Sequence, residues 1–504
     1  MEQLSGLDSL FLYAESENVH QHVSAFGIYD SSTFPGGTIR FRHLLAHFER
    51  RLNTSKIFRR RLLTVPHNLD RPYWIDDPDI DIEFHVRHIA LPHPGDRRQL
   101  MIQLARLHSR ALDLGKPLWE IYVIEGLENI PELPPGCFAV FLKVHHAALD
   151  TAAALQMVRD MHSTSEKSDD PVPANEVYFA DREPGTLDLY TRVIGHGAKR
   201  ALNVAWLYAD TLTHLAAMGA KQIAGRLRTL GHEALAEKLP HYARAPQTRF
   251  NGRVSPNRVL DSVQFPLAQI SEIRHQVGAI TVNDVYLGII SGALRSYLKS
   301  KNELPVNSLR ALLAMSFDAP GMPSSRANRL PASLFTELRD PLARLEALHE
   351  EMRALRQGPY AELGNELLPS LLEEMPNFAA NQLMRHLLLS QVNCMISNVR
   401  GPNMPLYIAG ARALQFCPVG MITDQVGLSL TGFSYDGRLT VSFTACRAMM
   451  PDPAFFAQCL NESFADIAAA AAKRHAAAER KKAGRQSAQR SATTESTEAL
   501  PTAP

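Results

Sequence analysis

A chain of 504 residues, 45% apolar and 21% charged, has ordinary globular composition; this excludes a wholly disordered or collagenous protein, and the length exceeds one typical core, so two large domains are expected. The formal charge of +1 offers no general basic field for nucleic acid, but it is unevenly spread: from Lys473 onward seven Lys and Arg face three Glu, leaving the tail at +4 and residues 1–472 at −3. Cys137, Cys394, Cys417, Cys446 and Cys459 are odd in number and widely spaced, which points to neither a disulfide framework nor a zinc ribbon and suits a reducing cytoplasm.

The opening segment, MEQLSGLDSLFLYAESENVH, carries acids where a signal peptide needs a basic stretch before a long apolar core. HVSAFGIYD then reads as a strand, and FRHLLAHFERRL as a helix with Leu44, Leu45, Phe48 and Leu52 on one face. FHVRHIAL returns to strand, LMIQLARLHSRAL to helix, and LWEIYVIEGL and CFAVFLKV to strand. This alternation defines an α/β unit over residues 1–180. The polar stretch STSEKSDDPVPANE (163–176) suits an exposed connection.

Residues 181–245 read as a helical linker, with Leu202, Trp206 and Leu207 at helical spacing. Even its most apolar run, ALNVAWLYADTLTHLAAMGA, is interrupted by Asp210 and His214, short of the roughly 18 uncharged residues a spanning helix needs. Membrane contact is therefore expected to be peripheral. A second α/β unit follows over 246–472: VLDSVQFPL as strand, TVNDVYLGIISGALRSYLKS as helix and SLRALLAMSFD as strand. Beyond these come a helical stretch at 341–390, the strand VNCMISNV, and a hairpin turning on Asp436-Gly437. The basic tail, 473–504, is expected to extend the last helix to about 482 and to be disordered beyond.

The richest stretch is KVHHAALDTAAALQMV, residues 143–158. Apolar alternation runs up to Val144, then changes to the helical face Ala154, Met157, Val158, Met161, so His145 and His146 stand where a strand hands over to a helix. Asp150 stands where an N-cap is wanted, and on that reading the histidines are ordinary loop residues. His146 and Asp150 are four residues apart, but no third ligand has metal-site spacing. GxSxG, Walker and GxGxxG motifs are absent.

Taken with KPLWEIYVIEGL (116–127), TVNDVYLGIISGAL (281–294), ISNVRGPNMPLYIAGARA (396–413), LSGLDSLFLYAESENVHQHV and APQTRFN (245–251), the HHxxxD stretch resembles the bacterial wax ester synthase/acyl-CoA:diacylglycerol acyltransferase family. These blocks occur in family order across about residues 1–470. The resemblance implies membership of the wider HHxxxDG acyltransferases: two α/β domains of the chloramphenicol-acetyltransferase-like type, with mixed sheets, a helical linker and an active-site tunnel between them.

By the same resemblance His146 is the general base toward an acceptor hydroxyl, His145 a neighbour that shapes the site, and Asp150 a structural support, with Arg400 one candidate ion-pair partner. Asn283 and Asp284 match the family's ND motif, placed near the tunnel. Asn283 also suits a plain cap for a helix beginning at Asp284. Thr151 departs from the motif, which has Gly there, and adds a branched side chain where Gly permits close backbone approach.

The implied reaction moves a fatty acyl group from acyl-CoA, a co-substrate, to diacylglycerol or a long-chain alcohol, with no acyl-enzyme, bound cofactor or metal. The alternatives are another acyl transfer that uses a carrier-protein thioester, and a non-catalytic lipid-binding protein. A cytoplasmic location is expected, with peripheral association to the inner membrane face or a lipid droplet through the region around Trp206 and the basic tail.

Overall fold

The computed structural model describes residues 1–34, 39–149, 151–166, 183–196, 245–315, 328–357 and 389–498. In the first half these form strands β1 (Glu2–Gln3), β2 (His22–Asp30), β3 (Arg60–Leu63), β4 (Tyr73–Asp76), β5 (Val86–Ala90), β6 (Trp119–Glu125) and β7 (Phe138–His145). The second half supplies β8 (Arg258–Pro266), β9 (Arg310–Met315), β10 (Asn328–Ser333), β11 (Cys394–Arg400), β12 (Tyr407–Ile408), β13 (Ala411–Val419), β14 (Leu428–Tyr435) and β15 (Arg438–Cys446). The helices named below are α1 (Gly6–Tyr13), α2 (Phe41–Arg51), α3 (Ile82–His85), α4 (Arg97–Ser109), α5 (Thr151–Met161), α6 (Leu267–Val277), α7 (Val282–Ser300), α8 (Pro341–Gln357) and α9 (Pro453–Glu498).

Two six-stranded mixed sheets carry the fold, in the orders β12-β13-β2-β7-β6-β5 and β10-β9-β11-β14-β15-β8. In the first, β5 and β6 run parallel and the other pairs antiparallel; in the second, β11 runs parallel to both β9 and β14. The β7 sequence FAVFLKVH is almost continuously buried because both faces of this central strand are covered. Leu100, Leu104 and Leu107 of α4 pack on one face against Phe26, Ile28 and Phe141. On the other face, Leu44 and Phe48 of α2 and Met157 and Met161 of α5 pack against Val140 and Val144.

The second sheet buries one face under α7 and α9, where Ile289, Ile290, Phe456, Leu460 and Ile467 meet Ile396, Leu428, Leu430, Val441 and Phe443. Its β14–β15 hairpin closes on Asp436 and Gly437, both at positive φ (43° and 75°), the conformation the Asp-Gly pair favours in a two-residue turn.

One exchange ties the halves together. The segment 407–419 leaves the second half and joins the first sheet, β13 pairing antiparallel with β2 from Arg412↔Asp30 to Val419↔Ser24. Its residues divide between two cores, Ala411, Ala413 and Phe416 joining the one under α2 and α5 and Cys417 and Val419 the one under α4, across a bulge between Ala413 and Gln415. Which sheet it would join is not written in its sequence.

Three expectations change. Helix α7 begins at Val282 and is capped by Thr281, whose hydroxyl accepts the Asp284 N–H while the Asp284 carboxylate accepts the Thr281 N–H; Asn283 lies inside the first turn and is not the cap. The strand expected over FHVRHIAL is shortened by α3, because Asp81 caps Glu83 and Phe84 and starts a helical turn before Val86. The last helix does not stop near 482 but continues to Glu498. Its buried stripe ends at Ala471, but the Ala, Lys, Arg, Gln and Glu that follow are strong helix formers, and apolar periodicity reports burial rather than helicity.

Of the linker, residues 186–196 are helical; Leu202, Trp206 and Leu207 lie outside the described residues. Among the described residues no single helix is long and apolar enough to cross a membrane.

Candidate active site

Strand β7 ends at His145 and the chain enters a single 3₁₀ turn, His146–Ala148. Two neighbouring segments hold this turn by the backbone. The His146 N–H donates to Gln21 O at 2.8 Å and the His145 N–H to Leu118 O at 3.0 Å. Leu118 belongs to the PLW block, so that motif supports the histidines from behind. Trp119 is itself buried, donates its indole N–H to Phe58 O at 3.0 Å and stacks on His85 at 4.3 Å.

The two imidazoles occupy different surroundings. His145 is fully buried, and its Nδ1 accepts the Ala147 N–H at 3.1 Å. That acceptor role places the ring proton on Nε2, which lies 3.3 Å from Glu15 Oε1. Burial pushes the Glu15 carboxyl up, but His145 and the Gln21 N–H, which donates to Oε1 at 2.8 Å, outweigh it and hold the carboxyl below its usual range. His146 is half-buried and stacks on Phe11 with centroids 3.9 Å apart and planes 13° from parallel.

His146 and Phe11 stand in the wall of a cavity of about 360 Å³ lined by residues of both halves of the molecule. Leu10 of α1 and Val158 of α5 line it from the first half, and Leu312, Met395 and Phe433 from the second. The lining is mainly aliphatic and aromatic, which suits an alkyl chain better than a polar metabolite.

The remaining sequence-expected residues are placed as follows. Asp150 lies outside the described residues; Thr151 is the first residue of α5. Asn283 sits one step behind the cavity, its Oδ1 accepting from Asn398 Nδ2 at 3.2 Å, and Asn398 itself lines the wall. Asp284 is buried and serves α7 and His349, whose Nδ1 lies 2.8 Å from Asp284 Oδ2. Arg400 ends β11 exposed, next to cavity-lining Val399.

The block APQTRFN is structural. Asn251 donates to the Val392 and Gln425 carbonyls, both at 2.9 Å, and accepts from Asn393, which fixes the entry to β11. Among the described residues no cluster of three or more His, Cys, Asp or Glu is arranged to hold a metal ion.

Sequence reasoning missed Phe11 and Glu15. Both lie in the opening block LSGLDSLFLYAESENVHQHV, which carried part of the family resemblance, but nothing in a linear sequence places residues 11 and 15 against residues 146 and 145.

The comparisons with known proteins agree with this geometry. The wax ester synthase/diacylglycerol acyltransferase catalytic domain matches residues 4–286, and the C-terminal domain of the same family matches residues 328–468. The O-acyltransferase WSD of Acinetobacter baylyi is 32% identical over 391 residues, covering 76% of this chain and 81% of that protein. A Mycobacterium tuberculosis protein named as a diacylglycerol O-acyltransferase, tgs1, is 30% identical over 485 residues, covering 94% and 97%.

Among solved structures, the wax ester synthase/diacylglycerol acyltransferase from Marinobacter aquaeolei VT8 matches at a TM-score of 0.64 and 26% identity, over 93% of this chain and 100% of that one. The first condensation domain of the calcium-dependent antibiotic synthetase shares the fold, at a TM-score of 0.55 and 16% identity over 94% and 97% of the two chains. With family matches across both halves and His146 in the wall of a cavity lined by both α/β units, the chain belongs to the wax ester synthase/diacylglycerol acyltransferase family.

Proposed function

We propose that the protein is an O-acyltransferase that moves a fatty acyl group from acyl-CoA to the hydroxyl of diacylglycerol or a long-chain alcohol, with His146 as general base. The observation that carries the reading is the placement of His146 alone of the HH pair in the wall of the apolar interdomain cavity, its ring plane set by Phe11. A neutral imidazole offers a nitrogen lone pair that can accept the hydroxyl proton.

In the proposed step the imidazole takes the acceptor's hydroxyl proton as the oxygen attacks the thioester carbonyl. The C–S bond then breaks, and the proton passes to the departing thiolate to give the ester and free CoA. A thiol of pKa about 8.5 leaves readily, so the protein's work is positioning, deprotonation and exclusion of water. His145, buried with its Nε2 3.3 Å from the Glu15 carboxylate, is a positioning residue. Asp150 is assigned the structural role the family resemblance implies.

The test uses purified protein with labelled palmitoyl-CoA and, separately, hexadecanol and dioleoylglycerol. Ester formation is expected, and His146→Ala should lower its rate by about 10²–10⁴-fold. A folded His146→Ala variant with an unchanged rate would sink the mechanism. Turnover with an acyl-carrier thioester but not with acyl-CoA would favour the carrier-protein reading, and lipid binding without turnover a non-catalytic one. A cytoplasmic location, with peripheral lipid contact through the basic end of α9, completes the proposal.

A further inference from the structure

The strands of the second sheet that border the cavity present two faces by their two-residue period. In β11 and β14, Ile396, Leu428 and Leu430 face the helices. Ser397, Ser429 and Thr431 alternate with them and line the cavity beside Met395, Val399 and Phe433 of the same face, while Ile396 also reaches it. Ser397 and Thr431 are cross-strand partners with hydroxyls 3.2 Å apart, and Ser429 pairs with Met395 on the same face.

The hydroxyl row continues onto β15, where Thr444 stands opposite Ser429. Ser429 and Thr431 are 6% and 7% exposed and Thr444 1%, and the Thr444 hydroxyl has no hydrogen-bond partner among the described residues. The end of β13 closes directly over the row at Gly420, where a Cβ would come within 2.3 Å of Ser429 Oγ and 3.2 Å of Thr431 Oγ1. Gly420 therefore leaves the hydroxyls room that any side chain would take.

An alkyl chain asks only for apolar walls, and buried hydroxyls without partners cost free energy. Ser397 donates to Thr431 Oγ1, but the Ser429 and Thr431 hydroxyls donate to no described residue, and a row of such donors in a largely apolar cavity fits a ligand that brings hydrogen-bond acceptors. A long-chain alcohol brings one polar group, which the chemistry at His146 uses. A diacylglycerol adds two ester carbonyls, each an acceptor for a hydroxyl donor.

We propose that Ser397, Ser429 and Thr431 form a subsite for the ester carbonyls of a diacylglycerol acceptor and set the preference for a glyceride over a simple alcohol. This rests on the acyl-transfer reading above. It makes these residues determinants of specificity, distinct in role from His146.

The test is the ratio of kcat/KM for dioleoylglycerol to that for hexadecanol, with palmitoyl-CoA as donor, in the wild type and in Ser429→Ala/Thr431→Val. Thr431→Val keeps the branched shape and removes the hydroxyl. The ratio is expected to fall about tenfold, the effect of a lost hydrogen bond. If the double variant fails to fold, the wild type offered a 1,2-dialkylglycerol, with ether links in place of the esters, should acylate it about tenfold more slowly than dioleoylglycerol.

An unchanged ratio would overturn the proposal, including an equal rise in KM for palmitoyl-CoA with both acceptors, which would assign the hydroxyls to the pantetheine amides. So would equal rates for the ether and ester glycerides. Absence of any ester product from the wild type with either acceptor would instead overturn the acyl-transfer reading itself.

Discussion

Acid should loosen the wall of the cavity before it titrates the carboxylates. His47 and His162 fasten α5, which carries Met157 and Val158, to the body of the first half. His47 Nε2 lies 2.8 Å from Met161 O while its Nδ1 faces Arg51 Nη1 at 3.2 Å. His162 Nδ1 contacts Val158 O at 2.6 Å and Nε2 the Tyr29 hydroxyl at 2.7 Å. On the far face of the sheet, His108 Nδ1 contacts the Ser24 hydroxyl at 2.9 Å.

Burial, reinforced by Arg51, pushes His47 down to about 3; burial, with Arg258 and Lys143 nearby, does the same to His108; and burial lowers His162 to about 4. In the unfolded chain each titrates near 6.5. Below that pH the unfolded state binds protons that the fold refuses, so stability is complete above about 6.5 and is lost as pH falls toward the folded values.

At pH 5 each group costs about 2 kcal/mol and the three together about 6, a large part of the 5–15 kcal/mol that holds a typical domain. Glu15, Glu303 and Asp452, whose carboxyls lie below their usual range, act with the same sign but in a lower window, below about pH 4.5. Urea midpoints measured from pH 7.5 to 5 should fall steeply, and His47→Gln should recover about 2 kcal/mol of the stability lost at pH 5. A midpoint flat over this range would refute the reasoning.

Phe11→Ala removes the ring stacked on His146 and should cost about 1 kcal/mol of stability, with a fall in kcat larger than any change in KM, checked by thermal melting and steady-state kinetics. Glu15→Gln keeps an acceptor for the Gln21 N–H but loses the charge facing His145; kcat should fall several-fold with a shifted pH profile, and Glu15→Ala should fall further. Deleting residues 475–504 removes the part of α9 beyond its buried stripe; the melting temperature should hold within a degree or two while flotation with anionic vesicles is lost. Unchanged flotation would remove the tail from the lipid-binding reading.

The α/β alternation, the strand-to-helix handover at His145–His146 and the Asp436-Gly437 hairpin were legible because each is local: period two, period 3.6 and turn chemistry act over a few residues. Asn283 as the helix cap was misread because Thr281, two residues earlier, satisfies the same backbone donors and gains the reciprocal bond from Asp284. The end of α9 was misplaced because helix propensity outlasts the apolar stripe.

What sequence by itself determined about this protein is the set of elements, the motif blocks and the kind of chemistry an HHxxxD stretch implies. Only the tertiary structure decided that residues 411–419 complete the first sheet, that Phe11 and Glu15 of the opening helix and its following turn set the two imidazoles, and that hydroxyls of β11 and β14 share a cavity with His146. These pairings join residues more than a hundred positions apart, and the packing that selects them depends on both cores forming at once.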